Sequence, residues 1–240
     1  MKVNSLFLLI FVLTTFTNLL FAATYSYEIE EVESIDVSTG VEFTVWCADV
    51  NKIEILADSE DDFQMSLEDK KLKIKRKNKN SWLFLSWGKT DVTADITLKN
   101  PPKYIELTTG SIGKIQNCFK KDADLNLSAS TGSSFEIDKG SGSINQMKVD
   151  LSTGAAIKIE KNLHINHLSL NASTGSTFES GNEVVIESSE VMVSSGASVD
   201  IYGTLEISGK VSSGGNIEVE KNTIRTDITT STGGSLNVDC

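Results

Sequence analysis

The sequence predicts an all-β, single-domain parallel β-solenoid of the right-handed β-helix kind, with coils of about 18–22 residues. Three observations predict it. A Ser/Thr-Gly corner recurs at Gly110, Gly132, Gly154, Gly175, Gly196, Gly214 and Gly233, at spacings of 22, 22, 21, 21, 18 and 19 residues. Aliphatic residues keep fixed offsets from each glycine. No long run places apolar residues at helical spacing. A propeller would need about twice this period. An antiparallel sandwich would not explain why the same residue types return in register at every corner.

Taken in order, residues 1–22 read as a signal peptide: Lys2, an apolar run from Leu6 to Phe16, then Leu19 to Phe21 and the small residues Ala22 and Ala23. A retained anchor is the alternative, although the run is short for a span. Residues 23–240 form the domain, less regular over 23–103 and regular over 104–240. Tyr25 to Ile35 reads as a lead-in strand. Ile35-Asp36-Val37 and Phe43-Thr44-Val45 flank an early corner at Gly40. Lys52 to Ala57, Lys71 to Lys75 and Asp91 to Leu98 alternate with a period of two, as half-buried strands do. One short helical turn is expected near Ser59 to Met65.

From Tyr104 onward each coil supplies two short strands. Inward aliphatics sit five and three residues before the glycine (Leu127 and Ala129, Val149 and Leu151) and three and five after it (Phe135 and Ile137, Ile157 and Ile159). Stacked coils then pair strand on strand at about 4.8 Å. The corner glycine is expected at positive φ, where a Cβ is penalised. The Ser/Thr files beside it are expected to bond neighbouring coils.

The order of these features is informative. Gly40-Val-Glu-Phe-Thr-Val45 is followed by Lys70-Lys-Leu-Lys-Ile74, by Val92-Thr-Ala-Asp-Ile-Thr-Leu98 before Pro101-Pro102, by Tyr104-Ile-Glu-Leu-Thr-Thr-Gly-Ser111, and then by serial Ser-Thr-Gly coils. This resembles the putative auto-transporter adhesin, head GIN domain family of exported bacterial β-solenoid proteins, over roughly residues 30–240. The resemblance implies fold and an envelope setting, and it brings no functional residues with it. The corners depart from the family's frequent Gly-Ser-Gly.

The formal net charge is −11, and loss of Lys2 with the leader takes it to −12. Such an acidic chain is a poor partner for nucleic acid. Cys47, Cys118 and Cys240 are the only cysteines. An exported protein could pair two of them and leave one free, and the pairing stays open. Burial as small hydrophobes is the plainer expectation for Cys47 and Cys118.

Catalytic signals are weak. His164 and His167 are three apart and would face opposite sides of a strand. No phosphate loop, CxxC pair or HExxH is present. No cofactor, metal or catalytic residue is expected. The expected function is therefore a non-enzymatic exported envelope protein, adhesin-like or scaffolding. The alternatives are a carbohydrate-active β-helix enzyme, for which Glu136, Asp138, Asp150 and Glu179 are the available acids, and an envelope sensor.

The least repetitive stretch is the most suggestive. Lys70 to Lys79 holds seven of the 22 basic residues, and Trp82 and Trp87 follow. Lys71, Lys73, Lys75, Arg76, Lys77, Lys79, Trp82 and Trp87 are the candidate contact with an anionic surface. The alternative is a hairpin with a lysine-faced edge strand. Partners are expected to be an envelope glycan or protein, or a second copy docked through the C-terminal coil.

Overall fold

The computed structural model describes residues 22–77, 91–119, 123–138, 142–219 and 223–238. The expected leader therefore lies outside the described residues, apart from Ala22.

Nineteen strands are defined among the described residues. The N-terminal part contains β1 (Ala23–Glu28), β2 (Ser34–Ser38), β3 (Glu42–Cys47), β4 (Lys52–Ala57), β5 (Phe63–Glu68), β6 (Lys71–Arg76) and β7 (Thr93–Leu98). The coils follow with β8 (Tyr104–Leu107), β9 (Ile112–Gln116), β10 (Ala123–Ala129), β11 (Ser134–Asp138), β12 (Gly142–Leu151) and β13 (Ala156–Ala172). They end with β14 (Thr177–Val193), β15 (Ser198–Ile201), β16 (Thr204–Val211), β17 (Asn216–Val219), β18 (Arg225–Thr230) and β19 (Ser235–Val238). The expected helical turn is a single 3-10 turn, Glu60–Asp62, capped by the Ser59 hydroxyl, which accepts from the Asp61 N–H.

Two parallel stacks run along the solenoid, as the repeat predicts. Strands entering the corner stack as β6, β2, β8, β10, β12, the second half of β13, the second half of β14, β16 and β18. Strands leaving it stack as β7, β3, β9, β11, the first half of β13, the first half of β14, β15, β17 and β19. The predicted inward residues are the core: Leu127, Val149, Leu170 and Val191 on one side and Phe135, Ile157, Phe178 and Val199 on the other are buried.

Two features depart from a simple coil. First, the N-terminal order is interleaved. The β2–β3 coil lies between β6–β7 and β8–β9, so strands far apart in sequence are neighbours. Antiparallel strands cover that end: β5 lies on β6, and β4 then β1 lie on β7. Tyr25 and Phe63, from the two outermost strands, meet with ring centroids 5.6 Å apart. Second, the coil turns again opposite the glycine corner. There pairs of consecutive residues, Asn145-Gln146, Asn166-His167 and Leu205-Glu206, face outward. The amides stack at this bend, Asn166 Nδ2 donating to Asn145 Oδ1 at 3.2 Å and Asn145 Nδ2 to Asp124 Oδ1 at 3.4 Å.

Gly113 shows how the coils interlock. It occupies an inward position between Phe43 and Phe135, whose rings approach to 6.1 Å. A Cβ at 113 would lie 2.5 Å from the Phe43 ring and 2.6 Å from that of Phe135.

Cys47 and Cys118 form a disulfide, with Cα atoms 4.8 Å apart and a sequence separation of 71. This corrects the expectation of two free buried thiols. They meet because β3 pairs with β9, which brings the ends of the two strands together. Cys240 lies outside the described residues.

Candidate functional site

The corner ladder is built by backbone. Gly110, Gly132, Gly154, Gly175, Gly196, Gly214 and Gly233 all have φ between 67° and 75°, as expected. The residue before each glycine is left-handed too: Thr109, Thr131, Thr153, Thr174, Ser195, Ser213 and Thr232 have φ between 47° and 54°. Two successive positive φ values with an i to i+3 bond describe a type I′ turn. The closing bonds include Ala155 N–H to Ser152 O at 3.1 Å and Ala197 N–H to Ser194 O at 3.0 Å. A left-handed threonine is uncommon. The turn aims the glycine N–H at the next coil: Gly132 donates to Thr153 O at 2.9 Å, Gly154 to Thr174 O at 3.0 Å and Gly175 to Ser195 O at 3.1 Å.

Backbone N–H groups thus supply most of the stacking bonds at the corner, and Ser173 Oγ of the Ser/Thr file adds one to Leu151 O at 3.4 Å. The buried hydroxyls come from the residue after the glycine. Ser111 Oγ donates to Thr108 O at 2.8 Å, and Ser133 Oγ reaches Ser130 O at 2.8 Å and Leu107 O at 3.2 Å. Ala155, Ala197 and Gly215 fill the same small site in other coils. Sequence reasoning missed this position, although its uniformly small residues signalled it. The Thr/Ser file before the glycine is exposed.

The basic strand is β6, and it is not an edge. It pairs with β5 on one side and β2 on the other. The turn and return strand of the expected hairpin, after Lys77, lie outside the described residues. Its charge is partly met by acids. Lys71 Nζ bridges Asp36 at 3.1 Å and Glu106 at 3.6 Å. Those contacts, led by the hydrogen bond to Asp36, raise its pKa. Lys70 lies between Glu31 and Glu33, each at 2.9 Å. Hydrogen bonds from Lys70 and Lys103 hold Glu33 below the usual carboxylate range. Arg76 reaches over the Gly40 corner. Lys73, Lys75 and Lys77 are exposed. Lys79, Trp82 and Trp87 lie outside the described residues.

The acids considered for polysaccharide chemistry lie in outward rows. Lys114 Nζ bridges Glu136 at 3.1 Å and Asp138 at 2.9 Å. Lys158 bridges Glu160 at 2.9 Å and Glu179 at 3.8 Å, and Lys148 bridges Asp150 at 3.3 Å. Ile112, Lys114, Glu136, Lys158, Thr177 and Glu179 border an open groove of about 500 Å³. Further along this row Asp200 follows Glu179 and precedes Glu218. Burial first, then these two carboxylates, raise its pKa.

The histidines are both on the outer surface, contrary to the expectation from strand alternation, because the second bend turns Asn166 and His167 out together. They remain separate. His164 Nε2 lies 3.1 Å from Glu187 Oε1 and His167 Nδ1 lies 3.0 Å from Ser188 Oγ. Ser188 donates its one hydroxyl hydrogen to Asn166 O at 3.1 Å, so the imidazole N–H donates to Ser188. That polarity is the reverse of a base activating a nucleophile. Among the described residues no group of three or more His, Cys, Asp or Glu is arranged to hold a metal ion, and no helix is long and apolar enough to cross a membrane.

The same architecture occurs in solved structures. A putative adhesin from Bacteroides fragilis NCTC 9343 superposes with a TM-score of 0.71 at 15% identity, covering 91% of this chain and 97% of its own. A putative adhesin from Parabacteroides distasonis ATCC 8503 gives 0.70 at 14% identity, covering 91% and 94%. A putative lipid binding protein from the same organism gives 0.65 at 15% identity, covering 92% and 97%. At these identities the likeness shows the fold. No curated protein matches the chain. The family model described as putative auto-transporter adhesin, head GIN domain, matches residues 32–223, and the chain belongs to that family.

Proposed function

We propose that this chain is a non-enzymatic, exported envelope protein, with residues 1–22 removed as a signal peptide and a rigid solenoid that presents binding rows to a glycan or protein of the cell envelope. The observation that carries the binding role is the register of the outward side chains. Successive coils place Lys114, Glu136, Lys158 and Glu179 in one row, and the Thr/Ser corner file in another, at the strand spacing of about 4.8 Å. Such rows suit a repeating ligand, because the Thr/Ser file offers a hydroxyl at every coil and the charged row repeats its sign at every second coil from Lys114 to Glu179. The Cys47–Cys118 disulfide supports export, since such bonds persist in oxidising compartments. The family's adhesin description supports the same reading.

Lys73, Lys75 and Lys77, with Lys79, Trp82 and Trp87 beyond them, form the proposed anionic contact. Fractionating producing cells tests the export, with the disulfide read by thiol labelling. Recovery outside the inner membrane with Cys47 and Cys118 oxidised is expected, and a cytosolic reduced protein overturns it. Binding is tested by pull-down on isolated peptidoglycan and envelope polysaccharide and by flotation with anionic vesicles. Retention by one of these, weakened in Lys73→Glu/Lys75→Glu, is expected. Absence of retention on all of them removes the binding role.

A further inference from the structure

We propose that β18 is a self-complementary edge through which two copies of this chain join, antiparallel and about a two-fold axis. Among the described residues β18 pairs with β16 only. Ser231 N–H donates to Val211 O at 3.0 Å. Alternation along the strand then turns the N–H and C=O groups of Thr226, Ile228 and Thr230 to the other side, away from β16. Such a row templates pairing with a further strand.

The occupant is read from the residues. Within β18, Arg225-Thr226-Asp227 has the same chemistry in both directions: cation, hydroxyl, anion. Antiparallel pairing centred on Thr226 lets the two copies of that residue exchange both backbone bonds. It sets Arg225 opposite the partner's Asp227, and Asp227 opposite the partner's Arg225. Directly opposed side chains lie about 5 Å apart, within reach of an ion pair. Arg225 and Asp227 are both exposed, and both belong to the outward row because they are in register with Glu206 and Ser208. Ile224 donates its N–H to Leu205 O at 2.8 Å and lies outside the paired segment. An interface of this kind is isologous and closed, so it gives a dimer and not a filament. A second copy satisfies the charge pattern without any further requirement on a partner.

The test is sedimentation velocity on the mature protein purified from producing cells, over a concentration series. A reversible dimer is expected. Arg225→Asp and Asp227→Arg should each weaken it at least about tenfold, because each variant opposes like charges twice. Mixing the two variants should restore association, since each then meets its complement. Thr226→Pro should also abolish the dimer. Its lost N–H faces away from β16, a position an edge strand tolerates, and an unchanged melting profile checks that the fold is kept. A monomer at every concentration overturns the proposal. So does a dimer that survives all three variants, or a mixture of the charge variants that fails to associate.

Discussion

The two ends of the solenoid solve the same problem differently. Parallel coils leave unpaired strands wherever stacking stops. At the N-terminal end the chain doubles back. β5, β4 and β1 run antiparallel over the last parallel strands, and Tyr25 meets Phe63 across the top. Phe63 is buried there. At the C-terminal coil some inward positions turn polar, while Ile228, Leu236 and Val238 stay apolar. Thr226 and Thr230 stand where the preceding coil has Ile207 and Val211, and both are exposed. One end is covered by antiparallel strands, the outermost of which, β1 and β5, meet through Tyr25 and Phe63. The other has its inward apolar surface reduced, and among the described residues β18 pairs on one side only. Closure needs residues that leave the repeat, so irregular sequence in a solenoid marks the closed end.

The sharpest way to break this comparison is to remove the disulfide. Cys47 and Cys118 join β3 to β9 and so close the whole excursion through β4 to β8. Cys47→Ala/Cys118→Ala should lower stability by about 4 kcal/mol in the chain-entropy description. Urea unfolding measures it. Hydrogen exchange should show the loss at β1, β4 and β7, with β16 to β19 unchanged. A uniform rise in exchange along the chain would mean that the two ends are not independent.

How much of this was readable beforehand follows from what repeats. The corner glycines and the inward Leu127, Val149 and Phe135 recur in register, so a one-dimensional pattern was enough. The interleaving of β2–β3 between β6–β7 and β8–β9 was not readable. Lys71 to Arg76 alternates identically whether it lies at an edge, beside a hairpin partner or beside a coil 37 residues away. The disulfide pairing depends on that interleaving and was hidden with it. The left-handed Thr131 was missed because threonine's preferences argue against it, and only the Gly132 N–H bond to the next coil shows what the turn achieves. For binding, sequence singled out β6, yet Asp36 and Glu106 temper it from neighbouring strands. Their contribution depends on register.

Glycine substitutions sharpen the contrast between corner and strand. Gly209 in β16 has φ 137°, and a Cβ there would lie against the Val191 carbonyl oxygen. Gly209→Ala should cost about 3 kcal/mol, since both backbone conformation and a fixed backbone neighbour oppose it. At the corner, Gly132 has φ 69° and nothing within 4 Å of a Cβ position. Gly132→Ala should cost only the left-handed penalty, about 1 kcal/mol, and Gly132→Asn less. Thermal melts of the three variants check the order. Equal losses would show that the corner is crowded and not merely left-handed.

The smallest effect separates the two halves electrostatically. In the row leaving the corner, Lys114, Glu136 and Lys158 alternate in sign, whereas Glu179, Asp200 and Glu218 follow one another without a lysine. Asp200 Oδ1 is buried without a hydrogen-bond partner, and burial raises the pKa of its carboxyl. A raised carboxyl pKa means that the folded chain disfavours the charged form. The penalty is absent at acidic pH, where the group is protonated in both states. It sets in as pH rises through the ordinary carboxylate range and is complete above the raised value. Asp200→Asn should therefore stabilise the protein near neutral pH, by no more than about 0.5 kcal/mol once solvent screening is allowed for. The difference should vanish on acidification. Paired melts at the two pH values decide it, and a variant less stable than wild type near neutrality would mean that Asp200 is held by a favourable contact.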